Sequence, residues 1–292
     1  MNTLKNLLHL SLFFILLLGF GQTQKENQQH FVQNQNQQEE DNCFKAEPSI
    51  KLQEENIVIP QKKLEAAIIG GSGAIGRLLV DQICESDNWQ TLYVIGRRKL
   101  DSWDECINKG KLKLFIEKDL DILKQTEKWE ILKNVDSFFC ALGSRVKMGE
   151  DEFVKTDYWY PNYFADLAVK FGIPHYSLVS SIGANSSSWF LYMRTKGQVE
   201  ETLKQKNLKG LSIFQPGVLL NRNNDFRIGE KIIAYVPFLS KIESKDLALA
   251  LRLEAEQKIK EFKKMNNFEN KIRVYDNQQI LYLLGNKQNE EL

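Results

Sequence analysis

Histidine and patterned cysteine are scarce in this chain. It has three histidines in 292 residues, and two of them, His9 and His30, lie near the N-terminus. His175 directly follows Pro174 at a strand start, which suits a structural or surface role better than the base of a Ser-His-Asp hydrolase. The four cysteines, Cys43, Cys84, Cys106 and Cys140, form no C-x-x-C pair. Two fall on predicted helix or core-strand positions, so the sequence offers neither a disulfide framework nor a zinc site. An excess of one charge is also missing. With 39 basic and 38 acidic side chains the net charge is +1. That balance excludes a dedicated nucleic-acid binder, which needs a basic field, so direct nucleic-acid contact is not expected.

What is present begins with glycine. Gly70-Gly71-Ser72-Gly73-Ala74-Ile75-Gly76 sits between an apolar run, Ala66-Ala67-Ile68-Ile69, and a helical pattern opening at Arg77-Leu78-Leu79-Val80. That context is a strand, a tight turn and a helix start. Glycines there let backbone approach a pyrophosphate and let the helix pack closely on the strand. The helix N-terminus offers free N–H groups and a positive dipole end to phosphate. Gly70, Ser72, Gly73, Ala74, Ile75 and Gly76 are therefore candidate cofactor contacts. A second strand over 91–95 ends at Gly96-Arg97-Arg98-Lys99. An NAD site usually carries Asp or Glu here for the ribose 2′-hydroxyl. A guanidinium fork suits a 2′-phosphate instead, so Arg97 and Arg98 predict NADP(H).

The remaining pattern alternates strands and helices. Apolar strands are expected over 111–116, 136–141, 175–181 and 211–214, and helices over 152–171 and 190–206. Asp119 follows the third strand, where such folds often contact adenine. This predicts an α/β fold with a Rossmann-type doubly wound parallel sheet, residues 61–292, ending in a small C-terminal substrate lid over 221–286. Within that segment a helix is expected over 247–264, capped by Ser244-Lys245-Asp246. Residues 1–21 form a different region. Lys5 precedes an apolar block over 7–20, the pattern of a signal peptide or a membrane anchor. Membrane contact is expected through residues 7–20 only. Residues 22–60 read as a Gln/Asn-rich disordered linker, since 12 of the 21 residues over 22–42 are Asn or Gln. The leader favours the secretory pathway or a membrane anchor, whereas a reduced NADPH-using domain fits the cytoplasm. Asn185-Ser186-Ser187 is a glycosylation sequon that matters only in a lumen.

Tyr192-Met193-Arg194-Thr195-Lys196 places a tyrosine and a lysine one turn apart on one helix face. The ammonium can lower the phenol pKa, and the phenol can serve as acid to a carbonyl that receives hydride. Ser180-Ser181 ends the preceding strand, where a hydroxyl can orient the substrate oxygen. Tyr192, Lys196, Ser180 and Ser181 are the candidate catalytic residues.

These motifs together resemble the short-chain dehydrogenase/reductase superfamily. Ile95-Gly96-Arg97-Arg98-Lys99-Leu100, Cys140-Ala141-Leu142-Gly143, Ser180-Ser181-Ile182-Gly183-Ala184, Phe190-Leu191-Tyr192 with Lys196-Gly197, and Pro216-Gly217-Val218-Leu219-Leu220 resemble its atypical branch, the Tat-interacting-protein oxidoreductases. The resemblance spans roughly residues 64–286. It implies that Leu142 and Gly143 pass under the adenosine side, and that Leu219 and Arg227 close over the nicotinamide end with Tyr192 and Lys196. It implies bound NADPH and a protein partner, since some family members act as regulators, while the small carbonyl or alcohol substrate is the expectation from Tyr192, Lys196 and the two serines. Gln215 stands where the family carries an arginine before Pro-Gly, and Ile228 replaces a proline. Three functions remain in play: an NADP(H)-dependent oxidoreductase, a non-catalytic NADPH-binding regulator, and a sugar-nucleotide epimerase of the extended branch.

Overall fold

A computed structural model describes residues 62–220, 240–264 and 271–288. The leader, the Gln/Asn-rich tract and Arg227 lie outside the described residues. Among the described residues no helix is long and apolar enough to cross a membrane.

Seven parallel strands form the main sheet: β1 (Leu64–Ile69), β2 (Trp89–Gly96), β3 (Leu112–Ile116), β4 (Ser137–Cys140), β5 (His175–Val179), β6 (Gly210–Gln215) and β9 (Lys271–Asp276). Their order is β3-β2-β1-β4-β5-β6-β9. A smaller parallel pair, β7 (Val218–Leu220) with β8 (Lys241–Glu243), stands apart from it. The order reverses between β1 and β4, which opens a crevice beyond the carboxyl ends of those strands.

The apolar runs dictate this layering. Along β1, Ala66 and Ile68 face one core cluster while Ala67 and Ile69 face the other, and all four are fully buried. A strand covered on both faces reads as a continuous apolar run, which is why these strands were legible. One face is covered by α1 (Ala74–Glu85) and α6 (Ser244–Lys264). The other is covered by α4 (Tyr160–Phe171) and α5 (Leu191–Gln205). Two short helices, α2 (Asp104–Asn108) and α3 (Glu150–Val154), complete the first five, and α7 (Asn277–Gln288) closes the described chain.

Four expectations changed. α1 begins at Ala74 rather than Arg77, because Gly73 is already its N-cap. The helix expected over 152–171 is not uniform. It widens into a π turn, Lys155–Trp159, just before Pro161. Proline has no N–H to donate back along the spiral, and a wide turn absorbs that missing bond. Part of the segment assigned to the lid belongs to the sheet, since β9 is its seventh strand and Ile259 of α6 lies in the core.

The fourth is the cysteine reading, which is corrected. Cys84 of α1 and Cys106 of α2 form a disulfide, with Cα atoms 5.9 Å apart. Twenty-two residues separate them and no motif links them. They meet because both helices cover the same face of the sheet, which local spacing does not encode. Cys140 stays free and buried, and burial pushes its thiol up to about 11.

Candidate active site

The glycine turn is sterically obligatory. Gly70 has φ +82°, and a Cβ there would stand 2.5 Å from the Ala141 carbonyl carbon. A Cβ on Gly76 would stand 2.1 Å from Gly70 O. The turn is therefore compressed between β1, α1 and the loop after β4. Arg77 N donates to Gly73 O at 3.1 Å, so the N–H groups just before it open the helix without an intrahelical acceptor. An anion fits this end of α1.

The basic pair stands beside the turn. Arg97 and Arg98 are exposed at the end of β2, and Arg98 Nη2 donates to Ser72 O at 3.4 Å. No carboxylate occupies the end of β2. At the end of β3, Asp119 is already engaged. It accepts from Lys155 Nζ at 2.7 Å, Tyr160 OH at 2.6 Å and Asp121 N at 2.8 Å. The Lys155 ammonium and the Tyr160 hydroxyl hold the Asp119 carboxyl well below its usual range. Burial and that hydrogen bond push Tyr160 up to about 12.

One pocket at the carboxyl ends of the strands gathers most of the remaining candidates. Gly73, Ala74 and Ile75 line its phosphate side, with Leu142 and Gly143. Tyr192, Lys196, Ser180, Ser181 and Leu219 line the rest. Gly70, Ser72 and Gly76 shape the turn from outside this pocket, and Asp119 is tied into its own network. The pocket walls suit an extended dinucleotide. The glycine cradle leaves room for backbone contact, and the residues that open α1 line the pocket, where their N–H groups suit an anion.

Lys196 is the most tightly held residue there. It is 4% exposed, with Nζ 2.9 Å from Asp157 Oδ1 and 3.5 Å from Val179 O. Burial works against its charge, yet Asp157 and then Tyr192 outweigh that and raise its pKa. Asp157 itself is 1% exposed. Its Oδ2 accepts from Ser144 N at 2.7 Å and Ser144 Oγ at 2.6 Å. Its Oδ1 receives no aligned hydrogen bond and faces Lys196 as an ion-pair partner. The Tyr192 ring rests against Phe153, centroids 5.9 Å apart.

The two serines differ. Ser180 Oγ donates to the buried Glu200, which also accepts from Gln215 Nε2 at 2.9 Å on each oxygen. Lys204 Nζ stands 3.6 Å from Glu200 Oε2, so this carboxylate has an ion-pair partner besides Gln215. Ser181 Oγ makes only a 3.2 Å bond to Ile182 O, so its hydroxyl is the more available.

Ser144 and Asp157 were not anticipated. A signal for Asp157 existed. It lies on the stripe Phe153, Asp157, Tyr160, Phe164, whose other members are all buried. A lone carboxylate on an apolar helix stripe needs a partner inside.

His175 lies at the other end of the sheet, 2% exposed. Its Nδ1 contacts Ser137 Oγ at 2.8 Å and its Nε2 contacts Glu254 Oε2 at 2.9 Å. This is a serine, histidine and acid in series, sealed from any substrate. His175 is structural.

The profile of the NAD(P)H-binding family matches residues 70–252, well over half of the chain. The chain belongs to that NAD(P)H-binding family. Its relatives are atypical short-chain dehydrogenase/reductase proteins. Protein HTATIP2 of Rattus norvegicus is 37% identical over 164 residues, covering 56% of this chain and 66% of that one. The match therefore spans just under two thirds of that relative's length. Protein FMP52, mitochondrial, of Debaryomyces hansenii is 34% identical over 166 residues, covering 54% of this chain and 68% of that one. Among solved structures, DesIV, a dTDP-glucose 4,6-dehydratase from Streptomyces venezuelae with NAD bound, superposes with a TM-score of 0.53. It is 12% identical and covers 77% of this chain and 81% of its own, a likeness of fold.

Proposed function

We propose that this protein is an NADP(H)-dependent oxidoreductase that moves hydride to or from a small carbonyl or alcohol. The observation that carries this reading is the convergence of Tyr192, Lys196 and Ser181 on the pocket that the glycine turn also lines. The nicotinamide supplies the hydride when bound. Tyr192 gives its phenolic proton to the carbonyl oxygen, or takes it back in the reverse direction. Lys196 stabilises the resulting phenolate as a fixed cation. Ser181 orients the oxygen and shares its developing charge. Arg97 and Arg98 supply the preference for the 2′-phosphate, and Arg227 and Leu219 the nicotinamide end.

One observation favours a second reading, a non-catalytic NADPH-binding regulator. The Lys196 charge is already balanced by Asp157, which weakens its pull on Tyr192. Fluorescence titration of the full chain with NADPH and NADH separates the cofactor question. Charge-assisted hydrogen bonds of about 1.5–3 kcal/mol predict that Arg97→Ala/Arg98→Ala lowers NADPH affinity roughly ten- to a hundredfold and leaves NADH binding unchanged. If neither nucleotide binds the natural chain, the oxidoreductase reading fails. Binding without turnover of any carbonyl in a broad panel favours the regulator.

A further inference from the structure

Residues 180–190 link β5 to α5 and contain the only Asn-X-Ser/Thr triplet in the chain, Asn185-Ser186-Ser187. The loop is firmly seated. Asn185 N donates to Met193 O at 3.0 Å, Ser188 N donates to Asn185 O at 3.0 Å, and Ser186 Oγ donates to Glu201 at 2.5 Å. Gly197 of α5 lies against it, and a Cβ there would stand 2.1 Å from Ser186 N. Asn185 itself is exposed. Its Oδ1 accepts from Ser187 N at 2.9 Å, an Asx turn. That bond uses the oxygen alone. Among the described residues Nδ2 has no hydrogen-bond partner, so the amide nitrogen faces solvent from a fixed loop.

A separate observation bears on the compartment. Cys84 and Cys106 are joined, and Cys106 is 7% exposed. Disulfides form and persist in oxidising compartments, and the secretory lumen is one that also glycosylates this triplet. The apolar block over 7–20 reads as an address to the same place.

We propose that Asn185 is an N-glycosylation site and that the chain matures in an oxidising, glycosylating lumen. The co-reactant is an oligosaccharide carried on a lipid pyrophosphate. Nδ2 bonds to the sugar C1, the bond from C1 to the pyrophosphate oxygen breaks, the pyrophosphate leaves with the electron pair, and the amide gives up one proton. No redox step is involved. The glycan would stand four residues from Trp189, which is 96% exposed, and would shield that ring and its exposed neighbour Phe190.

The test expresses the full chain with its own N-terminal segment in a eukaryotic secretory cell and treats it with peptide N-glycosidase. The expected result is a gain in gel mobility on digestion, with Asn185 converted to Asp by mass spectrometry. Asn185→Gln and Ser187→Ala should each lose the shift. Ser187→Ala keeps the Asx turn, which uses the backbone N–H, so its NADPH binding stays at the level of the natural chain and separates a lost acceptor from a lost fold. Ser187→Thr should keep the shift. A natural chain that migrates unchanged overturns the proposal, as does a shift that survives both losses. A mitochondrial chain with Cys84–Cys106 closed and Asn185 bare overturns it too.

Discussion

Two carboxylates are buried at opposite ends of one sheet, each 1% exposed, and they serve different ends. Glu254 binds His175, Ser212 at 2.6 Å and Tyr275 at 3.2 Å, every contact facing inward. Burial opposes its charge, but His175 and Ser212 together hold its pKa below the ordinary value. Asp157 pairs with the Lys196 ammonium, and that partner lines an open pocket beside Tyr192. The same chemistry is a rivet at one end and a mount for a reactive group at the other. What separates them is access, not composition.

Substitutions should break that symmetry unequally. The largest effect is expected for Tyr192→Phe, which should lower kcat about 10²- to 10⁴-fold while leaving the thermal midpoint in place. Turnover unchanged in that variant would sink the acid/base assignment. Glu254→Ala should do the reverse. Stranding the buried His175 and Ser212 and the half-buried Tyr275 costs roughly 3–5 kcal/mol in denaturant unfolding, with NADPH affinity per folded molecule unaltered. Opening the staple with Cys84→Ser/Cys106→Ser should cost about 3 kcal/mol, given the length of loop it closes. The same denaturation series reads it, and a variant as stable as the natural chain would mean the thiols are not paired in solution.

Asp157→Asn gives the smallest and most specific signal. Burial is already the largest influence on Lys196, and without that carboxylate its main opponent is gone, so the pKa falls. The raised pKa favours the ammonium, so its loss brings deprotonation to lower pH. The alkaline limb of the pH–rate profile should move down. An unmoved limb would show that Asp157 holds structure only.

The elements most legible in sequence are those with two-sided burial or fixed local geometry. β1, β2 and β4 are buried over most of their length and carry mainly apolar residues, and the glycine turn and the Tyr192–Lys196 pair depend on neighbours within a few residues. β9 resembles lid in sequence because, as an edge strand, it mixes exposed and half-buried positions. Asp157 hides in the sequence because a charge is expected in water, and only the packed helix shows it facing Lys196. The disulfide joins two helices that meet only once the sheet is formed.

The π turn at Lys155–Trp159 makes this site depend on chain length. Each residue of a regular helix advances about 100° around the axis. The helix before the turn and the helix after it are therefore out of phase by one residue. Deleting a single residue there would take out the extra residue of the wide turn and preserve every remaining side chain. It would also rotate Phe153 away from Tyr192, or Tyr160 away from Asp119, depending on which half moved. Substitutions in this stretch can be absorbed one at a time, but its residue count cannot change without dismantling one half of the site.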